Sequence, residues 1–392
     1  MRLNKILLPF IVTCFFITGC AQPVKLKKVM RDAEKQTAVM LDSIRLAAAG
    51  KKDMVAPRTI EHDKLKLISS RDWTSGFFAG HLWFLYNYTG KDYWRQQADS
   101  FTRVLEREKT NAGTHDMGFK IYCSYGNAYA NSRDTHYRRV IVDAAKTLST
   151  RFNTRIGSIR SWDHNRDKWQ FPVIIDNMMN LELLFAATRF TGDSSFYRIA
   201  VTHANTTLKN HFREDYSTWH VVEYDTLTGA VRSKATHQGY ADGSAWARGQ
   251  AWGLYGYTLC YRETKDERYL QQADSIAAFI FHHPRLPPDR IPYWDYDDPA
   301  IPGAPKDASA AAITASALYE LSNYSKQGKQ YKKWADGILK NLTKYYRSPA
   351  GQNKGFLLLH STGHLPHKSE IDVPINYADY YYMEALLRSK GN

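Results

Sequence analysis

Two aspartates sit where a carboxylate is hard to accommodate. Asp176 follows the apolar run Val173-Ile174-Ile175. It precedes Met178, Met179, Leu181 and Leu184, which share one side at helical spacing. Asp116 lies in the segment HDMGF, ahead of a second apolar helical pattern. An ionised carboxylate at the mouth of an apolar helix must be paired, capped or used. As an N-cap it would accept the first backbone N–H groups of its helix. As chemistry, two neighbouring carboxylates do not both ionise easily, so one pKa rises and a proton is held near neutral pH. General acid–base catalysis needs such a group.

Polar and aromatic side chains gather at similar places along the chain. Trp73, Trp162, Trp246 and Trp252 offer stacking faces. His115, His220, Gln238 and Arg248 can hydrogen-bond hydroxyls or a carboxylate, and Arg is the natural carboxylate clamp. Structural roles compete with these. Asp72 reads first as a cap for the helix that follows it. Trp73 can be core, His115 a satisfied rim histidine, and Arg248 half of a buried ion pair. The acidic loop holding Asp295, Asp297 and Asp298 is expected to be solvated rather than calcium-binding.

Helices must position these groups. A repeat marks one set of them. Trp94-Arg95-Gln96-Gln97-Ala98-Asp99-Ser100 matches Tyr269-Leu270-Gln271-Gln272-Ala273-Asp274-Ser275, with looser copies from Tyr137, Phe196 and Tyr331. A polar turn precedes each copy. An N-terminal helix near 25–48 brings this amphipathic set to six. Six more helices, apolar nearly all round, are expected at 72–88, 118–129, 176–190, 244–261, 308–321 and 377–387. One set wants a wet face and the other full burial. Two concentric rings satisfy both, so the expected fold is an all-α (α/α)6 barrel. The long excursions 155–172, 216–243, 284–305 and 348–374 then lie at the rim, where long loops on a rigid scaffold build sites. Asp116 and Asp176, on successive inner helices, fall at one rim.

The N-terminus carries an address. Arg2 and Lys5 precede an apolar run, 6–17, too short for a convincing membrane span. It ends Ile17-Thr18-Gly19-Cys20, which resembles a bacterial lipobox. Residues 1–19 are expected to be a signal peptide, Cys20 to carry lipid, and 24–392 to form one catalytic domain. The expected location is the outer membrane of a bacterium, facing periplasm or surface, with the lipid as the only membrane attachment. Cys123 and Cys260 then remain as buried thiols, and no Cys or His spacing marks a metal. Net charge is +14, of which Arg2 and Lys5 supply two. A basic surface favours acidic ligands. An exported protein without a long Lys/Arg run is not expected to bind nucleic acid. Acidic saccharides remain, and 26 Tyr with 10 Trp suit stacking on sugars.

Several segments together resemble glycoside hydrolase family 88, the unsaturated glucuronyl hydrolases. They are DWTSGFFAGHLWFLY from Asp72, HDMGF from His115, IDNMMNLELLF from Ile175, TWHVVEYD from Thr218, HQGYADGSAWARGQAWGLYGY from His237, PYWDYDDP from Pro292 and INYADYYYMEALL from Ile375. They span nearly the whole chain after the signal. The resemblance implies the (α/α)6 barrel, with Asp176 as general acid/base and Asp116 as a second essential carboxylate. It implies substrate contacts from Trp73, His115, Trp162, His220, Gln238, Trp246, Arg248 and Trp252, and neither metal nor organic cofactor. The implied substrate is an acidic oligosaccharide left by a polysaccharide lyase, ending in a 4,5-unsaturated glucuronic acid. Asp176 would protonate C4 of its vinyl ether while water adds at C5. A sister family, the unsaturated rhamnogalacturonyl hydrolases, shares fold and reaction type. The HDMGF and HQGYADGSAWARGQAW segments have the glucuronyl form. An inactive sugar-binding lipoprotein is the alternative of another class, against which both aspartates argue. Oligomeric state is not legible.

Overall fold

The computed structural model describes residues 24–391. The expected signal peptide, 1–19, and Cys20 therefore lie outside the described residues. Twelve α-helices appear among these residues, and they alternate as expected. Five outer helices are α3 (Asp92–Arg103), α5 (Thr135–Ser149), α7 (Ser194–Asn210), α9 (Glu267–His282) and α11 (Gly328–Tyr345), with α1 (Leu26–Ala47) as the sixth. The inner set is α2 (Ser75–Thr89), α4 (Asn127–Ser132), α6 (Leu181–Thr191), α8 (Ala247–Thr264), α10 (Ala308–Leu321) and α12 (Asn376–Arg388). Inner elements touch in chain order, the segment Gly118–Gly126 just before α4 making the contact to α6, and α12 returns to α2, which closes the ring.

The repeat has a packing cause. Trp94, Tyr137, Phe196, Tyr269 and Tyr331 each fall in the first turn of an outer helix, and all five are buried. In α3 only Trp94, Ala98 and Thr102 are buried, one stripe at four-residue spacing. Every residue of α10 is buried. Asp134, Asp193 and Asp266 cap outer helices by accepting from the backbone N–H two residues on. Cys123 and Cys260 are buried free thiols, as their place in apolar patterns implies.

Two inner elements begin irregularly. The expected helix at 118–129 opens as a π-helix, Gly118–Gly126, before α4. The one at 176–190 opens as a 3-10 turn, Ile175–Asn180, before α6. Both irregular turns directly follow or contain the candidate aspartates. The rim also holds short strands. β5 (Pro172–Ile174), β6 (Val221–Tyr224) and β7 (Val231–Ala235) form an antiparallel sheet beside the Asp176 turn, and β3 (Phe152–Asn153) pairs with β4 (Ser158–Ile159). A hairpin of β1 (Ala56–Glu61) and β2 (Lys64–Ile68) was not expected; Thr59 bridges to Ile375 just before α12. No helix among the described residues is long and apolar enough to cross a membrane.

Candidate active site

Asp116 and Asp176 face one cavity of about 400 Å³ at the rim. A glycine sets their approach. A Cβ on Gly118 would meet the Asn180 Cα at 2.7 Å, so only glycine lets the Asp116 segment lie this close to the Asp176 turn. The Phe119 N–H donates to Asn180 Oδ1 at 3.1 Å and locks the two together.

The N-cap role for Asp176 fails. Its carboxylate makes no capping bond, and Oδ2 has no hydrogen-bond partner although buried. Burial pushes its pKa up to about 7, and the Asp116 carboxylate adds to the rise while the Arg248 guanidinium opposes it. The expectation of a raised carboxyl holds, but its main cause is loss of water rather than the neighbouring charge. His220 stands beside it, Nε2 lying 3.8 Å from Asp176 Oδ2. His220 Nδ1 accepts the backbone N–H groups of His237 and Gln238, both at 3.0 Å. Those donors assign the neutral ring's proton to Nε2, on the side of Asp176. Burial holds the His220 pKa well below its usual value, so the ring stays neutral. Asp116 accepts from the Thr114 hydroxyl at 2.6 Å and lies 3.2 Å from His115 Nε2.

Of the ten expected site residues, six share the cavity wall: Trp73, His115, Asp116, Trp162, Asp176 and Gln238. His220, Trp246, Arg248 and Trp252 are buried around them and do not form that wall. Trp246 packs on His220 with ring centres 4.7 Å apart. Trp252 packs on Phe119, and its indole N–H lies toward the Asp176 carboxyl, whose pKa it helps to lower, without completing a hydrogen bond of normal geometry. Trp162 stacks on His164, and its N–H is also unpaired. Such buried, unpartnered donors around an acid are groups a bound ligand can satisfy.

Arg248 is largely committed within the protein. It donates to Asp307 Oδ2 at 2.8 Å and to the carbonyls of Thr362 and Gly363 at 2.7 and 2.6 Å, and lies over the Trp246 ring. Only Nε lacks a partner. Its place favours an electrostatic influence on Asp176 over a two-pronged clamp.

Other residues were missed or misjudged. Asp72 does accept the Thr74 N–H, as a cap would, yet it also lines the cavity and pairs with Arg58. Arg58 binds Glu370 through two nitrogens at 2.6 and 2.7 Å, tying the first rim hairpin to the last rim loop. His237 and His364 line the cavity too. Their clusters were visible, but only the fold brings them together. The acidic loop is solvated only at Asp297: Asp295 is fully buried and accepts from the Tyr240 N–H and the Ser244 hydroxyl, pinning the 236–246 segment. Asp298 is buried against the Trp294 N–H, and Asp297 accepts the Ala245 N–H.

Replacing Asp116 by Asn removes one charge that raises the Asp176 pKa. The basic limb of the pH–rate profile should move to lower pH, by a minor part of the whole displacement because burial dominates. A limb that stays or rises would assign Asp116 to substrate binding alone.

A six-hairpin toroid with a carboxylic acid and a second carboxylate in one rim pocket is the working arrangement of a glycoside hydrolase. The relatives narrow this. No family model matches the chain. The unsaturated glucuronyl hydrolase of Formosa agariphila is 52% identical over 83% of this chain and 81% of its own length. The unsaturated chondroitin disaccharide hydrolase of Streptococcus pneumoniae is 31% identical over 86% of both. The solved structure of an unsaturated glucuronyl hydrolase specific for heparin superposes with a TM-score of 0.87, at 48% identity, over 93% of this chain and 96% of that one. The chain belongs to the unsaturated glucuronyl hydrolases, and its fold is their (α/α)6 barrel.

Proposed function

We propose that this protein removes the terminal 4,5-unsaturated glucuronic acid from lyase-generated, glycosaminoglycan-type oligosaccharides. The observation that carries the proposal is Asp176, buried in a shared cavity with Asp116 and with its pKa pushed up to about 7. Half-protonated near neutrality, such a group can give a proton and take one back in the same turnover. Asp176 delivers its proton to C4 of the vinyl ether. A cation-like centre develops at C5, and water adds there as Asp176, now ionised, accepts the water's proton. The hemiketal opens and the leaving sugar departs as C1 becomes an aldehyde. Asp116 supplies negative charge beside the developing cation. His220 holds a neutral N–H toward Asp176, and the Trp73 and Trp162 rings offer stacking faces.

Heparin-type disaccharides are the favoured substrates. The heparin-specific relative is 48% identical, against 31% for the chondroitin hydrolase of Streptococcus pneumoniae. Loss of the ultraviolet absorbance of the C4=C5 bond tests this with unsaturated heparin, chondroitin and rhamnogalacturonan fragments. Fastest decay with a heparin fragment is expected. Decay with rhamnogalacturonan fragments alone would favour the sister activity, and binding without decay would leave an inactive sugar-binding protein.

The proposed address is the outer membrane, with lipid on Cys20 as the anchor. The Ile17-Thr18-Gly19-Cys20 sequence supports it. Cys20→Ser should move the protein from the membrane fraction to the soluble one. A Ser variant still membrane-bound after a salt wash, which strips a basic surface, would overturn the anchor.

A further inference from the structure

Three histidines at the mouth of the cavity take no part in the proton chemistry. His237 comes from the segment after β7, His364 and His367 from the last rim loop. Their ring nitrogens can all lie within 4.8 Å of one another. The His364 and His367 rings are stacked, 3.9 Å between centres and 8° from parallel. His367 ends a 3-10 turn, Leu365–His367, and His364 is the residue just before that turn, in non-helical backbone. His237 meets both edge-on, 5.0 Å from each.

Hydrogen bonds to the backbone fix two of them. The His237 N–H is held by His220 Nδ1 at 3.0 Å. His364 exchanges two backbone bonds with Ser369 at 3.0 and 3.1 Å, closing the loop that carries it. The His364 ring then has no use inside the protein: both nitrogens are shielded from water, and neither has a hydrogen-bond partner. Two polar atoms left this way cost stability unless something binds them.

We propose that His237, His364 and His367 form a binding site for a divalent transition-metal ion of the zinc class at the mouth of the active-site cavity. The donor chemistry selects the ion. Three imidazoles suit Zn²⁺, Ni²⁺ or Cu²⁺ and not Mg²⁺ or Ca²⁺, which want oxygen. Ligation needs neutral rings. Neither ring nitrogen of His364 has a partner in the protein, so this ring has a lone pair to offer. An anion site would want these rings charged. Three protein ligands leave a coordination position open. His237 and His364 line the same cavity as Asp116 and Asp176, so the ion shares that pocket with the substrate. The sequence does not announce the site, because His237 is far along the chain from the His364 loop.

Zinc binding without substrate tests this separately from the hydrolase activity. The full-length protein, stripped with a chelator, is titrated with ZnCl₂ near neutral pH in a calorimeter. One saturable equivalent is expected, and none with MgCl₂. His367 is exposed, so His367→Ala should stay folded by circular dichroism. It should weaken zinc binding at least about tenfold, a loss that even an outer-shell change can bring. His360→Ala, which removes a half-buried histidine paired with Asp372, should leave zinc binding intact. Absence of saturable zinc binding, or equal binding by wild type and His367→Ala, would overturn the site.

Discussion

Asp176→Asn should lose three or more orders of magnitude in turnover on an unsaturated disaccharide while the protein becomes more stable in mild alkali. The first half follows from removing the proton donor, at the upper end of what general acid–base catalysis supplies. The second follows from linkage. The folded pKa of Asp176 stands near 7, above the unfolded carboxyl value of about 3.9. The folded state therefore binds the proton more tightly, and the side chain costs stability as pH rises between those two values. The full cost is on the order of 4 kcal/mol and is reached above about pH 7. Asn carries no such charge. Denaturation midpoints should thus favour the variant in mild alkali and converge with wild type toward acid. A variant with near-normal turnover, or one destabilised at all pH values, would assign Asp176 to structure.

Arg248→Met carries the largest expected loss of stability. Asp307 and Arg248 are both fully buried, and the guanidinium donates to Asp307 and to two rim carbonyls. Met keeps much of the stem but strands Asp307 with only Ser309 and the Thr362 N–H. Breaking one partner of a buried pair costs about 3–5 kcal/mol. Urea unfolding measures it, and a loss under about 1 kcal/mol would show the pair to be replaceable. Catalysis should report a second effect. Arg248 lowers the Asp176 pKa, so its removal should carry the basic limb of the pH–rate profile upward, opposite to Asp116→Asn.

The twelve helices were legible because two different burial demands leave two different patterns. The stripe of Trp94, Ala98 and Thr102 is one, and the all-round burial of α10 is the other. Asp116 and Asp176 were legible because a charge at the head of an apolar run has few structural uses. The contacts between distant segments were not. Arg248 bonded to Gly363, Arg58 to Glu370, and Asp295 to Tyr240 depend on which rim loops the ring brings together. Local pattern carries no such information. The acidic loop misled for the same reason, since Asp295 and Asp297 accept from backbone N–H groups some fifty residues away. The β1–β2 hairpin was hidden because the residues that tie it down, Ile375 by a bridge to Thr59 and Glu370 by an ion pair to Arg58, lie at the far end of the chain.

In the proposed reaction the double bond is hydrated, with Asp176 giving its proton to C4. Running the reaction in heavy water tests this, because a carboxyl that lines a solvent-connected cavity exchanges its proton between turnovers. Mass spectrometry and NMR of the released uronate should find one deuterium at C4, on a single face, in step with loss of the C4=C5 absorbance. A product that retains the double bond and carries no deuterium at C4 would mean direct displacement at the anomeric carbon, and would contradict the account.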